Sequence, residues 1–162
     1  MSWLSRNWLR VVWGAACIGL AGLASGCHSF GDTRLISTSG PGWRFQQGQA
    51  IWRPGRNRAE LTGELSVARN DRGACVFDFE KTPMPMTAGH TTGTNWLIRF
   101  PAMNLSFGGG GAPPRRFAWL YLGAALDGKV LPKPLTFEQR PDGGWRLENT
   151  RSGEFIEGVF WP

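Results

Sequence analysis

The feature that most constrains this chain is an alternation of period two that begins near Gly42 and returns through most of the remainder. Phe45, Gln47, Gln49 and Ile51 alternate with Arg44, Gln46, Gly48, Ala50 and Trp52. More cleanly, Leu61, Gly63, Leu65 and Val67 alternate with Glu60, Thr62, Glu64 and Ser66. Successive side chains of a strand point to opposite faces, so this pattern predicts antiparallel strands with one dry face and one wet one. Turns fit at Pro54-Gly55-Arg56-Asn57 and at Asn70-Asp71-Arg72-Gly73, where Asn, Asp and Gly suit turn geometry. Residues 74–80 return as a third strand, with Cys75, Phe77 and Phe79 on one face. Asn95 to Phe100 places Trp96, Ile98 and Phe100 together, and Leu105 and Phe107 extend that strand beyond Pro101. Later strands are expected at Leu135 to Gln139, around Trp145 and Leu147, and from Glu154 to Trp161. The last sets Phe155, Val159 and Trp161 opposite Ile156 and Phe160, so it is either covered on both sides or lines a cavity with its second face.

Three stretches interrupt the alternation. Between Lys81 and His90, Pro83 and Pro85 remove backbone donors, which excludes a central strand and leaves an edge strand or a loop with Met84 and Met86 at its lip. His90 reads as a loop histidine. Gly108 to Gly111 ends regular structure and reads as a flexible loop; the Lys-Ser/Thr pair and following helix of a phosphate-binding loop are missing. After Pro113-Pro114, the residues Phe117, Leu120, Tyr121 and Ala124 fall at helical spacing, with Gly128 placed to close a helix over Arg115 to Asp127. Phe117, Trp119 and Tyr121 also alternate, so a strand stands beside the helix as a reading of the same segment. The expected fold is mainly β: a curved antiparallel sheet or open half-barrel of six to eight strands with one short helix, over residues 42–162.

The first 26 residues are of another kind. Arg6 and Arg10 precede an apolar run from Val11 to Leu23, and Leu23-Ala24-Ser25-Gly26-Cys27 resembles the lipobox of bacterial lipoproteins. A transmembrane anchor competes, but the apolar run falls short of the roughly 20 residues that span a bilayer and holds Gly14, Gly19 and Gly22. The resemblance implies that residues 1–26 are removed and that Cys27 is lipidated, which anchors the chain to a membrane. His28 follows the cysteine where aspartate would favour inner-membrane retention, so the resemblance points to the outer membrane, facing the periplasm. Residues 27–41, rich in Ser, Thr and Gly, then read as a flexible tether.

Processing would change the chemistry of what remains. Loss of Arg6 and Arg10 takes the formal charge from +6 to +4, and the other arginines are scattered among acids, so no nucleic-acid footprint is expected. Cys17 leaves and Cys27 is lipidated, so Cys75 stands alone and reads as a buried small hydrophobe. With His28 and His90 as the remaining histidines, no metal set and no cofactor site can be assembled. No nucleophile, base and orienting group can be proposed together: Ser106 lacks the elbow pattern, and Glu154 and Glu157 point to opposite faces, so no enzymatic activity is expected.

Six of the nine tryptophans and all ten phenylalanines follow residue 26, more than a small sheet needs for its core. Aromatic groups on a second face can line a pocket for acyl chains. In order of elements, Leu61 to Val67 with Glu64-Leu65, the Met84-Pro85-Met86 lip, Trp96 to Phe100 and the helix candidate Pro114 to Leu126 resemble the LolA/LolB carriers of lipoproteins and related envelope lipoproteins. That resemblance implies an open β half-barrel with a helical lid holding acyl chains. Met84, Met86, Trp96, Ile98, Phe117 and Trp119 are the expected ligand-lining residues. The alternative is a structural or assembly lipoprotein that contacts another envelope protein.

Overall fold

A computed structural model describes residues 37, 38 and 40–162. The lipobox, Cys27 and most of the tether therefore lie outside the described residues. Nine strands form one antiparallel sheet that does not close into a barrel. They are β1 (Trp43–Arg53), β2 (Leu61–Asn70), β3 (Cys75–Lys81), β4 (Met84–Thr91), β5 (Asn95–Phe100), β6 (Leu105–Gly110), β7 (Leu135–Gln139), β8 (Trp145–Asn149) and β9 (Glu154–Phe160). Their spatial order is β6-β5-β4-β3-β2-β1-β9-β8-β7. The first six strands form a meander, and the last three return to the free side of β1. Between β6 and β7 the chain crosses the concave face through a 3-10 turn, Ala118–Tyr121, and a short helix, α1 (Leu122–Leu126). The mainly β expectation with one short helix is thus met, with the helix and not the strand over this segment.

The alternation sorts the two faces as expected. Ala50 and Trp52 of β1, Leu65 and Val67 of β2, Phe77 and Phe79 of β3, Ile98 and Phe100 of β5, Leu147 of β8 and Ile156 of β9 are buried on the concave side. Trp119 drives into this layer. Its ring centroid lies 5.5 Å from that of Phe77, 5.3 Å from Phe79 and 5.8 Å from Trp52.

Two proline- and glycine-based expectations are corrected. Met84–Thr91 is an internal strand between β3 and β5, neither an edge strand nor a loop, and His90 lies within it. Pro83 lies in the turn before β4, and Pro85 is tolerated because β5 pairs only with Ala88 to Thr91, so the first half of β4 is locally an edge. There, Pro85 also sits beside a register irregularity opposite Phe79 and Glu80. Gly108 to Gly110 does not end regular structure but belongs to β6, whose register runs from Phe100↔Leu105 to Asn95↔Gly110. Leu105 and Phe107 accordingly lie on a strand that folds back along β5. A side chain at Gly109 would begin 3.1 Å from the Trp96 indole, so the bare backbone is what lets that ring lie against the last strand.

Glycine is also required in α1. A methyl carbon on Gly123 would lie 2.5 Å from Cβ of Cys75 and 2.8 Å from its Sγ. Helix propensity alone favours Gly123→Ala by about 1 kcal/mol. Overpacking costs about 1–3 kcal/mol and should prevail. The expected result is a lower urea midpoint for Gly123→Ala than for the parent chain, with an unchanged denaturant slope; a raised midpoint would show that α1 floats free of β3.

Candidate functional site

The candidate site is the concave face together with the segment that fills it, residues 113–129, here called the wedge. Its attachment begins at β9. Glu154 shares strand parity with Ile156, so its carboxyl enters the apolar layer and not solvent. There it accepts a hydrogen bond from Trp52 Nε1 at 3.2 Å on one oxygen and from the Ala118 backbone N–H at 3.1 Å on the other. Thus β1, β9 and the first turn of the wedge meet on one carboxylate. Burial pushes its pKa up to about 7, against the pull of the two donated hydrogen bonds.

Neighbouring polar contacts fix the rest of the wedge. Asn149 of β8 donates from Nδ2 to the Arg115 carbonyl at 2.9 Å, while its Oδ1 accepts from the backbone N–H groups of Arg151 and Ser152. The Tyr121 hydroxyl donates back to the Pro113 carbonyl. At the far end, Arg69 donates to Asp127 at 2.6 Å and to the Gln46 side-chain carbonyl at 2.6 Å. Gly128, at φ 69°, then turns the chain out of α1. The thiol of Cys75 lies beneath Gly123, buried as expected, and burial raises its pKa to about 12, which removes it as a nucleophile near neutrality.

The expected lining residues divide. Ile98 and Trp119 are fully buried in the core, and Trp96 and Phe117 are half-buried at its rim, 6.4 Å apart between ring centroids. Phe117 also packs on Phe107 at 5.2 Å, and the Arg116 guanidinium lies 4.7 Å from the Phe117 ring centroid. Met86 packs at the margin of the same cluster. Met84 is exposed at the start of β4 and does not join them. The structure therefore gathers Trp96, Ile98, Phe117 and Trp119, with Met86 beside them. Residues that the alternation alone did not bring into the site are Trp52, Asn149, Arg69 and Glu154. For Glu154 the signal was present, since it stands two residues before Ile156 in a strand.

The face is filled, not hollow. Trp119 is 1% exposed, and its indole N–H has no hydrogen-bond partner among the described residues. An unmet buried donor costs about 1–3 kcal/mol. Among the described residues no group of three or more His, Cys, Asp and Glu side chains is placed to hold a metal ion, and no helix is long and apolar enough to cross a membrane. Comparison with protein-family models, curated proteins and solved structures finds no match.

The Glu154 latch has a pH signature. Its folded pKa, about 7, exceeds the ordinary 4.5, so between those values the folded chain binds more protons than the unfolded one. Stability from this group is fully present below pH 4.5 and is lost as pH rises through about 7. The loss is roughly 3 kcal/mol by the equivalence of one pKa unit to about 1.4 kcal/mol. Glu154→Gln removes the titration. Urea unfolding of both chains from pH 4.5 to 8 should give a difference in stability that changes across this window in favour of the variant as pH rises; a constant difference would mean that Glu154 does not titrate there.

Proposed function

We propose that this chain is a non-enzymatic lipoprotein of the cell envelope, anchored through lipidated Cys27 to the outer membrane and facing the periplasm. Its half-barrel takes a lipid acyl chain or another apolar ligand in the place now held by the wedge. The observation that carries this reading is the way Trp119 covers the aromatic floor. Trp52, Phe77, Phe79 and Phe100 come from three strands, yet the cover over them is a single connection whose ends are tied down by polar contacts.

Magnitudes permit the exchange. Withdrawing Trp119, Leu120 and Leu122 exposes three large side chains, about 5–9 kcal/mol at roughly 1.5–3 kcal/mol each. Ten methylenes of an acyl chain return about 8 kcal/mol on entering the same space. Relief of the unpartnered Trp119 indole adds to the balance. The wedge is then a lid whose closed state resembles a bound ligand.

A structural or assembly role, in which the domain contacts another envelope protein, is the second reading. It is favoured by β6, which ends the sheet with Leu105 exposed and can accept an added strand.

Purification from membranes followed by native mass spectrometry tests the first reading. The expected result is a co-purified lipid, or a saturable change in tryptophan emission on titration with fatty acid as Trp119 leaves its buried site. Neither lipid nor emission change would sink it. Separately, Cys27→Ser should release the chain from membranes; retention of the processed variant would count against lipidation.

A further inference from the structure

The convex face carries a groove that the lid does not use. It has a volume of about 470 Å³ and is lined by Phe45, Gln47, Asp78, Trp161 and Pro162, with Thr38 at its margin. Phe45 and Trp161 are 64% and 50% exposed, and they are the two exposed large aromatics among the described residues. Strand parity explains why they meet. Phe45 lies on the face of β1 opposite Trp52, and Gly48 pairs with Phe160, which brings the end of β9 alongside the start of β1. The backbone N–H of Trp161 donates to the Gln47 carbonyl at 2.8 Å and holds the residue there.

Elsewhere on this face a large aromatic is covered. Phe155 is buried beneath two guanidinium groups, Arg53 at 4.4 Å and Arg146 at 3.9 Å from its ring centroid. Among the described residues no guanidinium group lies over Phe45 or Trp161. An exposed aromatic pair, with Val159 exposed on the same face, is the composition of a membrane-interface contact, where amphipathic rings sit at headgroup depth.

We propose that this groove rests on the lipid surface, with the Phe45 and Trp161 rings inserted among the headgroups, so that the concave face and its lid are turned away from the membrane. The inference relies on the anchoring of Cys27 proposed above. Ten residues separate Cys27 from Thr38, and at the extended rise of about 3.3–3.6 Å per residue they reach at most roughly 40 Å. That is about the width of a domain of this size. Thr38 lines the groove, so the tether from Cys27 joins the domain at this corner and not at the concave face. No arginine or lysine among the described residues lines the groove, and Asp78 stands in its wall, so contact is expected to depend on the rings and not on anionic lipid.

Site-directed spin labelling of the full lipidated chain tests this, in vesicles of phosphatidylethanolamine with and without phosphatidylglycerol. Cys27 carries lipid and Cys75 is buried, so Phe45→Cys, Trp161→Cys and the control Val130→Cys, exposed just past the wedge, each offer one reactive thiol. Labels at 45 and 161 should collide several-fold more with oxygen than with a water-soluble nickel complex, in both vesicle types, and the label at 130 the reverse. Aqueous behaviour at all three positions overturns the proposal. So does shielding from both reagents that grows with protein concentration, which would assign the groove to a second copy or a protein partner. The intact mass of the chain reports the lipid on Cys27 independently; if it is missing the anchor reading fails alone, and the same labels on a Cys27→Ser chain mixed with vesicles still decide the groove.

Discussion

A sheet that curls without closing, and has no second sheet above it, must cover its inner face with something else. In this chain the cover is one connection, with Trp119 at its centre and Leu120 and Leu122 buried beside it. Trp119 contacts rings from β1 and β3, and its insertion is what makes the concave aromatics a core instead of an exposed patch. The local details around it follow from that need. Gly123 is bare so that α1 can approach Cys75, and the hydrogen bonds to Glu154 and Asn149 satisfy wedge backbone groups that the crossing would otherwise bury without partners. Glu154 is the costliest of these devices, because a carboxyl in an apolar layer is stable there only with its donors in place.

Much of the sheet was legible in the sequence because alternation reports burial directly. Leu61 to Val67 and Cys75 to Phe79 read cleanly since each has one face against the core and one in water. Pro85 of β4 misled because the rule against proline concerns ladder positions, whereas β5 begins pairing only at Ala88 and leaves Pro85 on a local edge. The glycines of β6 misled for a different reason. Their lack of side chains is a packing requirement set by Trp96 on the neighbouring strand, which no local pattern records.

The candidate site was half legible. Trp96, Ile98, Phe117 and Trp119 converge because aromatic excess on a given parity does mark the inner face. The segment from Phe117 to Tyr121 supported two periods at once, and the 3-10 turn that it forms explains the ambiguity: three residues per turn is intermediate between strand and α-helix spacing. Met84 fails to join the others because it lies at the tip of the hairpin, beyond the register irregularity. Asn149 and Arg69 could not be assigned from spacing, since their partners at Arg115 and Asp127 are supplied by a connection distant in sequence.

The two faces meet in β1, which is the spine of the sheet. It pairs with β2 from Trp43↔Asn70 to Trp52↔Leu61 and with β9 from Gly48↔Phe160 to Arg53↔Phe155. A slip of one residue would turn Trp52 outward and Phe45 inward, and would break both ladders at once. The strand is thus held in register from both sides, while the wedge is held mainly by side-chain contacts at its ends. On the proposed function, withdrawal of Trp119 would leave both ladders of β1 paired, and with them the corner that holds Phe45 and Trp161.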